Sequence, residues 1–251
     1  MEIMKKNNKI IQKLLQILAY INKRVFVSGY HSKSFSQEGE DMVFKNIFQG
    51  QRKGFYVDIG AHHPKMYSNT YNFYMRGWRG VNIDALPGSM RLFNRIRKRD
   101  INIEKAISDT DQKLTYYAFE LPAYNGFSEL LSQQRIENGI RLKYKKSIMT
   151  SSLEKILDGI GIETDMIDFI SLDIEGLELS ALRSINLKKY TPKIIMVEIL
   201  DFDLYSFTNN EIVNYLHKYD YSVYSKLIHS ILFIKNMYLD SKTSRPNISI
   251  N

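Results

Sequence analysis

Acidic residues stand at the ends of three predicted strands. Asp58 closes one apolar run, Asp84 closes the next, and Asp173 with Glu175 follows a third. Because ligands of open α/β sheets lie beyond the carboxyl ends of the strands, we expect these acids to line one site. A buried carboxylate is costly unless something pairs with it, so the pattern predicts a bound ligand. From the end of the second strand, Asp84 is placed to accept hydrogen bonds from both hydroxyls of a ribose.

The loop after the first of these strands limits the ligand. Residues 60–65 read GAHHPK and contain a single glycine. A dinucleotide site needs G-x-G-x-x-G and a P-loop needs G-x-x-x-x-G-K-[ST], and neither pattern is present. A carboxylate-rich site without a phosphate cradle suits a cofactor that is cationic and carries no phosphate. S-adenosylmethionine (SAM) meets that description.

His62 and His63 are the first candidates for proton transfer. They directly follow the loop glycine, and the near-neutral pKa typical of imidazole suits removal of a proton from a hydroxyl. A loop histidine often does no more than hydrogen-bond its own backbone. Two interpretations therefore stay open: at least one of the pair faces the substrate, or both only support the loop.

Apolar runs of strand length alternate with helical patterns along the chain. The alternation predicts a mostly parallel sheet with helices on both faces. The last two runs are separated by only a few residues and must form an antiparallel hairpin, an ending typical of class I methyltransferases. We therefore predict a Rossmann-like α/β fold with a mostly parallel seven-stranded sheet. The predicted strands include 54–60, 80–85, 103–108, 168–176, 193–200, 221–227 and 231–235.

Helix starts follow from capping residues. Proline favours the first turn, so a helix is predicted from Pro87. The other predicted caps are Ser68 to Thr70, Ser151 or Ser152, and Asn209 or Asn210. "LTYYAF", which contains Tyr116 and Tyr117, is predicted to be an added strand in which both tyrosines simply pack. Residues 120–150 are polar and basic, match no strand pattern, and are predicted to form an insertion on the substrate side.

Composition and charge narrow the class of protein. The chain has 251 residues, no cysteine, 44% hydrophobic residues and a net charge of +8. These values suit one large domain without disulfides and allow an acidic partner. Basic residues are concentrated in 91–99. Such a run usually forms a helix face exposed to solvent, and the alternative is a surface that binds an anionic partner. Stacking aromatics are not interleaved with them, so no nucleic acid is expected.

The N-terminus is predicted to be a basic amphipathic helix. Apolar residues recur at helical spacing over 10–21, but no run reaches the length of a membrane span. We expect this helix to dock on the domain or on a second copy, or to rest on a membrane surface. Residues 1–35 would be this helix and its lead-in, 36–240 the α/β domain and 241–251 a tail. The expected location is cytoplasmic, or peripheral to the inner face of the membrane.

Several strings of residues, in order and at characteristic spacing, resemble the FkbM family of SAM-dependent methyltransferases. The resemblance extends over roughly residues 36 to 235. The strings are "SQEGED" (36–41), "GFYVDIGAHHP" (54–64), "SNT" (68–70), "GWRGVNIDALP" (77–87), "INIEKAISD" (101–109), "TSSLEKIL" (150–157), "IDFISLDIEGLELSAL" (167–182) and "PKIIMVE" (192–198).

The resemblance implies a role for each matching position. Asp173 and Glu175 would flank the reacting centre, and Asp84 would bind the ribose. The other implied cofactor-binding residues are Gln37, Glu40, Asp41, Asp58, Gly60, Ala61, Asn69, Thr70, Ala106 and Ile107, with Asp173 shared between the two sets. Many relatives have D-I-G-A-N-x-G in the loop and a lysine before D-x-E-G. This chain has HHP at 62–64 and Leu172 instead.

The resemblance also implies O-methylation, with a sugar hydroxyl of a surface glycan or glycan precursor as the expected acceptor. A lipid or secondary-metabolite hydroxyl is the alternative, and a non-catalytic anion- or membrane-binding module is the rival from another class. In the expected mechanism a histidine removes the proton of the acceptor hydroxyl, and no metal takes part. The alternative is a Mg²⁺ or Mn²⁺ ion held by Asp173 and Glu198.

Overall fold

The computed structural model describes residues 11–21, 32–174, 176–200 and 202–243. The chain divides into two compact units, residues 1–34 and 35–251. Within the first unit, residues 11–21 form helix α1, as the apolar spacing predicted. Its docking on a membrane or on a second copy stays a prediction. In the described part of the chain, no helix is both long and apolar enough to cross a membrane.

The second unit is built on a seven-stranded sheet. Its strand order is β3-β2-β1-β7-β8-β10-β9. Neighbouring strands are parallel from β3 to β8, and the last two are antiparallel. The predicted parallel sheet with a C-terminal hairpin is thus confirmed. The strands are β1 (Phe55–Ile59), β2 (Arg79–Asp84), β3 (Ile101–Glu104), β7 (Phe169–Leu172), β8 (Ile194–Glu198), β9 (Tyr221–Lys226) and β10 (Ser230–Lys235).

One predicted strand, residues 103–108, is in fact two strands in different sheets. β3 ends at Glu104, which pairs with Asp84 at the edge of the main sheet. The amide N–H of Lys105 then donates to the carbonyl of Asp84 at 2.9 Å, and the chain leaves the sheet. β4 (Ala106–Ile107) pairs instead with a strand of a small second sheet. The sequence hid this break because apolar residues lie on both sides of Glu104 and Lys105.

The small sheet corrects the prediction that residues 120–150 contain no strand. It has the order β4-β6-β5, with β5 (Lys113–Phe119) antiparallel to β6 (Leu142–Ser151). β6 is central in this sheet but is mostly exposed until its last two residues. Because solvent reaches it, it carries lysines in place of the apolar alternation by which strands are recognised. β5 is the added strand predicted for "LTYYAF".

Helices cover both faces of the main sheet. The side chain of Ser152 accepts from the amide of Lys155, and that of Asn210 from Ile212, which confirms two predicted caps. The helix predicted from Pro87 begins later, at Met90. The helices of this unit are α2 (Glu40–Ile47), α3 (Tyr71–Met75), α4 (Met90–Ile96), α5 (Glu129–Glu137), α6 (Leu153–Gly159), α7 (Glu178–Arg183), α8 (Glu211–His217) and α9 (Asn236–Thr243).

The two faces of the sheet bury different side chains, because alternate residues of a strand point to opposite faces. In β1, Val57 and Ile59 join a large aliphatic cluster, whereas Tyr56 joins an aromatic one. Trp78 lies in the aromatic cluster, wholly buried, with its ring 4.8 Å from that of Phe73. α9 extends the second unit to Thr243, into the segment predicted to be a tail.

Arg97 corrects the interpretation of the basic run 91–99. Its side chain is completely buried beneath the loop that follows β1, and its Nε lies 2.9 Å from the carboxylate of the equally buried Asp100. The guanidinium also donates to the carbonyl of Pro64, the hydroxyl of Tyr56 and the hydroxyl of Thr70. The other basic residues of this run are exposed: Arg91, Arg95, Lys98 and Arg99.

Removing this guanidinium should destabilise the protein strongly, because it leaves the carboxylate of Asp100 buried without its cation. We expect Arg97→Met to lower the free energy of unfolding by about 3–5 kcal/mol in urea titrations. The matched control, Arg95→Met on the exposed face of α4, should stay within about 0.5 kcal/mol of the native protein. Equal effects from the two substitutions would contradict the buried ion pair.

Candidate active site

A cavity of about 410 Å³ opens at the carboxyl edge of the main sheet. It runs from the end of β2, past the ends of β1, β7 and β8, to the turn before β10. Most of the residues singled out from the sequence line it, so the fold brings them together. They are Gln37, Glu40, Asp58, Gly60, Ala61, His62, Asn69, Asp84, Asp173 and Glu198.

Some predicted residues lie elsewhere. His63, Asp41 and Thr70 are not among the residues that line this cavity. Ala106 and Ile107 line a small adjoining recess that shares Gly60 and Asp84 with the main cavity. Glu175 lies outside the described residues.

Asp41 supports the cavity from behind. Its buried carboxylate accepts hydrogen bonds from the amide of Phe35, the hydroxyl of Ser36 and the side chain of Asn72. These contacts fasten the segment before α2 to α3. Glu40, the neighbouring residue, faces the cavity and accepts from the hydroxyl of Ser230 at 3.2 Å.

Asp58 is a deeply buried carboxyl of the cavity. It is the fourth residue of β1, one position before the strand ends, and its Oδ2 accepts from the hydroxyl of Thr70 at 2.7 Å. Burial raises the pKa of Asp58 to about 6, although hydrogen bonds from Thr70 and Ser171 and the charge of Arg97 oppose that rise. A cationic ligand beside it would favour the ionised form.

Gly60 allows two backbones to meet under the cavity. It has a φ of 80°, and a Cβ atom at this position would overlap the backbone oxygen of Asp173. Its own amide donates to the carbonyl of Ile83 at 2.9 Å. Because only glycine combines this conformation with this close approach, Gly60 ties the ends of β1, β2 and β7 together.

Asp84 holds the loop as well as facing the cavity. Its Oδ2 accepts from the amide of His62 at 2.8 Å, and its Oδ1 from the amide of Leu86 at 2.7 Å. Burial raises its pKa, while these hydrogen bonds oppose the rise. Each oxygen of an ionised carboxylate can accept a second hydrogen bond, so the predicted contact with a ribose is compatible with the geometry.

The two loop histidines have different positions. His62 has a φ of 51°, a left-handed conformation in which Asn and His are enriched, and it lines the cavity. The Nδ1 of His63 accepts from the amides of Lys65 and Met66, so this ring supports its own loop. The carbonyl of Pro64 accepts a hydrogen bond from the buried guanidinium of Arg97.

Several cavity residues were not assigned to the site from the sequence, and one of them, Tyr116, was predicted only to pack. Tyr116 and Phe127, from the small sheet and the loop beyond it, line the cavity with their rings 5.1 Å apart. Glu38 and His229 line the opposite end and contact each other. Glu38 lies within the string at 36–41, but nothing in the sequence links it to His229, 191 positions away. Tyr116 and Phe127 are near each other in the chain, but neither carries a functional signal.

The residues present fit SAM. Asn69 lines the cavity with a buried Oδ1 that has no hydrogen-bond partner among the described residues, so it can accept from a ligand amine. The carboxylates of Asp58 and Asp84 provide the acceptors that a cationic nucleoside needs, and Gly60 keeps the floor open.

A metal site is not supported. Among the residues that the structure describes, no group of three or more His, Cys, Asp or Glu side chains is arranged to hold a metal ion. Asp173 and Glu198 both line the cavity. Leu172, which precedes Asp173, is buried in the aliphatic cluster.

The strand order, the antiparallel last strands and the acid-lined cavity at the carboxyl edge define a class I, SAM-dependent methyltransferase. The model of the family described as "Methyltransferase FkbM domain" matches residues 58–223, about two-thirds of the chain. The chain belongs to this family, as the sequence strings predicted. No curated protein matches it significantly in sequence.

Solved methyltransferase structures are similar at low identity. A TehB-like SAM-dependent methyltransferase from Corynebacterium glutamicum is 9% identical, with a TM-score of 0.42, over 89% of this chain and 97% of that one. A precorrin-6Y C5,15-methyltransferase from Geobacter metallireducens is 11% identical (TM-score 0.39; 81% and 90% covered). A Burkholderia thailandensis 1,6-didemethyltoxoflavin-N1-methyltransferase with bound S-adenosylhomocysteine is 13% identical (TM-score 0.38; 88% and 89% covered).

The affinity for SAM should depend on pH through Asp58. Its carboxyl is largely neutral well below pH 6 and ionised above it, and only the ionised form attracts a cation. Calorimetric titration should therefore show binding up to about tenfold weaker near pH 5 than near pH 7.5. Asp58→Asn should bind more weakly at high pH and lose most of this dependence. An unchanged profile in the variant would exclude Asp58 as the titrating group.

Gly60→Ala should weaken SAM binding by at least about tenfold, because the added Cβ forces the ends of β1 and β7 apart. Gly77→Ala is the matched control. Gly77 also has a positive φ, 95°, but nothing lies within 4 Å of a Cβ there. Both variants carry the strain of a left-handed residue, about 1–3 kcal/mol, so only the close contact separates them. Equal affinities for SAM in calorimetry would contradict the proposed role of Gly60.

Proposed function

We propose that this protein is a SAM-dependent O-methyltransferase whose acceptor is a sugar hydroxyl of a surface glycan or glycan precursor. One observation carries the proposal. The β8–β10 end of the cavity, away from Asp58 and Asp84, is lined by hydrogen-bonding side chains, one of which, Glu40, the resemblance had assigned to the cofactor. Carboxylates accept from the many hydroxyl donors of a sugar. The polar residues at this end are Glu38, Glu40, Glu198, His229 and Ser230.

Apolar side chains complete this end of the cavity. Met196 and Leu200 line it beside the carboxylates. A sugar ring has hydroxyl groups around a hydrocarbon frame, so it presents polar edges and small apolar surfaces. A lining of carboxylates and apolar side chains matches both. The acceptor would therefore lie beside β8 and β10, with its reacting hydroxyl directed towards Asp173.

SAM, when bound, supplies an electrophilic methyl group on a sulfonium centre. The protein's part is to align the acceptor with it and to stabilise charge. Asp58 and Asp84 would hold the cofactor through its cationic and ribose parts. Asp173, whose carbonyl contacts Gly60, would border the reacting centre. Tyr116 and Phe127 would exclude water above it.

The acceptor proton needs a receiver, because a sugar hydroxyl does not ionise at neutral pH. His62 lines the cavity and stays a candidate, whereas His63 is engaged with its own loop. A divalent ion between Asp173 and Glu198 is the alternative. Chelator distinguishes the two, because only the metal route stops with EDTA and resumes with Mg²⁺ or Mn²⁺.

The test supplies the protein with radiolabelled SAM and three sets of acceptors. The first set contains methyl glycosides and nucleotide sugars of common hexoses and deoxyhexoses, the second long-chain alcohols, and the third phenols. We expect label to enter the first set only, and Gly60→Ala to be the inactive control. Label in the second or third set would favour a lipid or secondary-metabolite acceptor. Saturable SAM binding is itself required, since a non-catalytic anion-binding module would show none.

A further inference from the structure

The side chains of Glu38 and His229 form a close pair at the β10 end of the cavity. Glu38 lies just before α2, and its side chain is only 6% exposed, whereas that of His229 is 41% exposed. The amide of His229 donates to Oε2 of Glu38 at 3.0 Å, and Nδ1 of the ring contacts Oε1. The carboxylate thus holds both the backbone and the ring of one histidine.

His229 lies at the β8–β10 end of the cavity, where the acceptor is proposed to bind. Its carbonyl accepts from the amide of Ile199 at 2.8 Å, and the next residue, Ser230, pairs with Glu198 at the end of β8. His62 lies at the opposite end of the cavity, because its amide donates to the carboxylate of Asp84 at the end of β2. Of the two cavity histidines, His229 therefore stands on the side where the acceptor hydroxyl would lie.

The pairing determines which ring nitrogen is available. A carboxylate at Nδ1 favours the tautomer that carries its proton there, which leaves Nε2 with a free lone pair. Burial alone would raise the pKa of Glu38, but hydrogen bonds from the amide and ring of His229 bring it below its usual value. Glu38 is thus ionised at neutral pH, as an orienting carboxylate must be.

We propose that His229 is the general base of methyl transfer and that Glu38 is its positioning residue. The inference rests on the proposed O-methylation. The lone pair of Nε2 forms a bond to the hydroxyl proton, and the O–H bond breaks. The oxygen forms a bond to the methyl carbon, and the C–S bond breaks with its electron pair staying on sulfur. The imidazolium that forms is stabilised by the carboxylate of Glu38.

The charged groups around the ring suit a base that gains a proton. Glu38 contacts it directly, while Glu198 and Glu40 lie beside its neighbour Ser230. Lys226 is the cation of the same turn, and its ammonium donates to the carbonyls of Leu227 and Ile228. Carboxylates therefore outnumber cations around this histidine.

The first test separates catalysis from binding. With the best glycoside acceptor, His229→Ala should lower kcat by about 10²–10⁴-fold. Its affinity for SAM should stay within about twofold of native, and added imidazole should restore part of kcat. His217→Ala, an exposed histidine in the last turn of α8, is the matched control and should behave as native. A His229→Ala enzyme with near-native kcat, or with a loss that imidazole does not restore, would overturn the proposal.

The second test needs no acceptor. The ¹⁵N shifts of the ring nitrogens in the full-length protein report the tautomer of His229. We expect the proton on Nδ1 in the native protein and a shift of population towards Nε2–H in Glu38→Gln. A native ring that already carries its proton on Nε2 would exclude the pair as a base. If the native protein binds SAM but methylates no glycoside, the proposed acceptor fails, and these shifts alone decide the pair.

Discussion

The buried contact between Arg97 and Asp100 holds together the part of the sheet on which the site stands. Asp100 accepts from the hydroxyl of Tyr56 in β1 and from the amide of Gly80 in β2. Arg97 reaches upward to the loop at Pro64 and, through Thr70, to Asp58. A guanidinium is suited to this position because its planar fork of donors serves several acceptors at once. The residues below the cavity are therefore held together by an ion pair and hydrogen bonds as well as by hydrophobic packing.

The strand-end acids and the sheet could be predicted from the sequence because their signals are local. An apolar run followed by an acid and a glycine needs only neighbouring residues to be recognised, as at Asp58 and Gly60. The hairpin of β9 and β10 could be predicted for the same reason, because a link of only a few residues can join two neighbouring strands only if they are antiparallel. The break at Lys105 was not visible, because hydrogen bonding to another strand decides where β3 ends.

The burial of Arg97 and the pairing of Glu38 with His229 could not be predicted by such reasoning. Arg97 stands among exposed basic residues, and its burial depends on the tyrosines and the loop that close over it. Glu38 and His229 are separated by 191 positions, and although Glu38 lies in the string at 36–41, no pattern links it to His229. Both features arise from tertiary contacts, for which a single sequence contains no periodic signal. β6 could not be predicted for a related reason, because an exposed strand lacks the alternation of apolar and polar residues by which strands are recognised.

The small sheet of β4, β5 and β6 has a consequence for how the family can diversify. The chain enters this sheet from the main sheet at Lys105 and leaves it through Ser152 into α6, and much of β6 is exposed to water. The small sheet reaches the cavity through Tyr116 of β5 and Phe127 in the loop beyond it, and neither residue belongs to the aliphatic or aromatic cluster. Substitutions at these two positions therefore change the cavity wall without repacking the core. A methyl-donor site with a fixed floor can in this way acquire new acceptor preferences at low cost to folding.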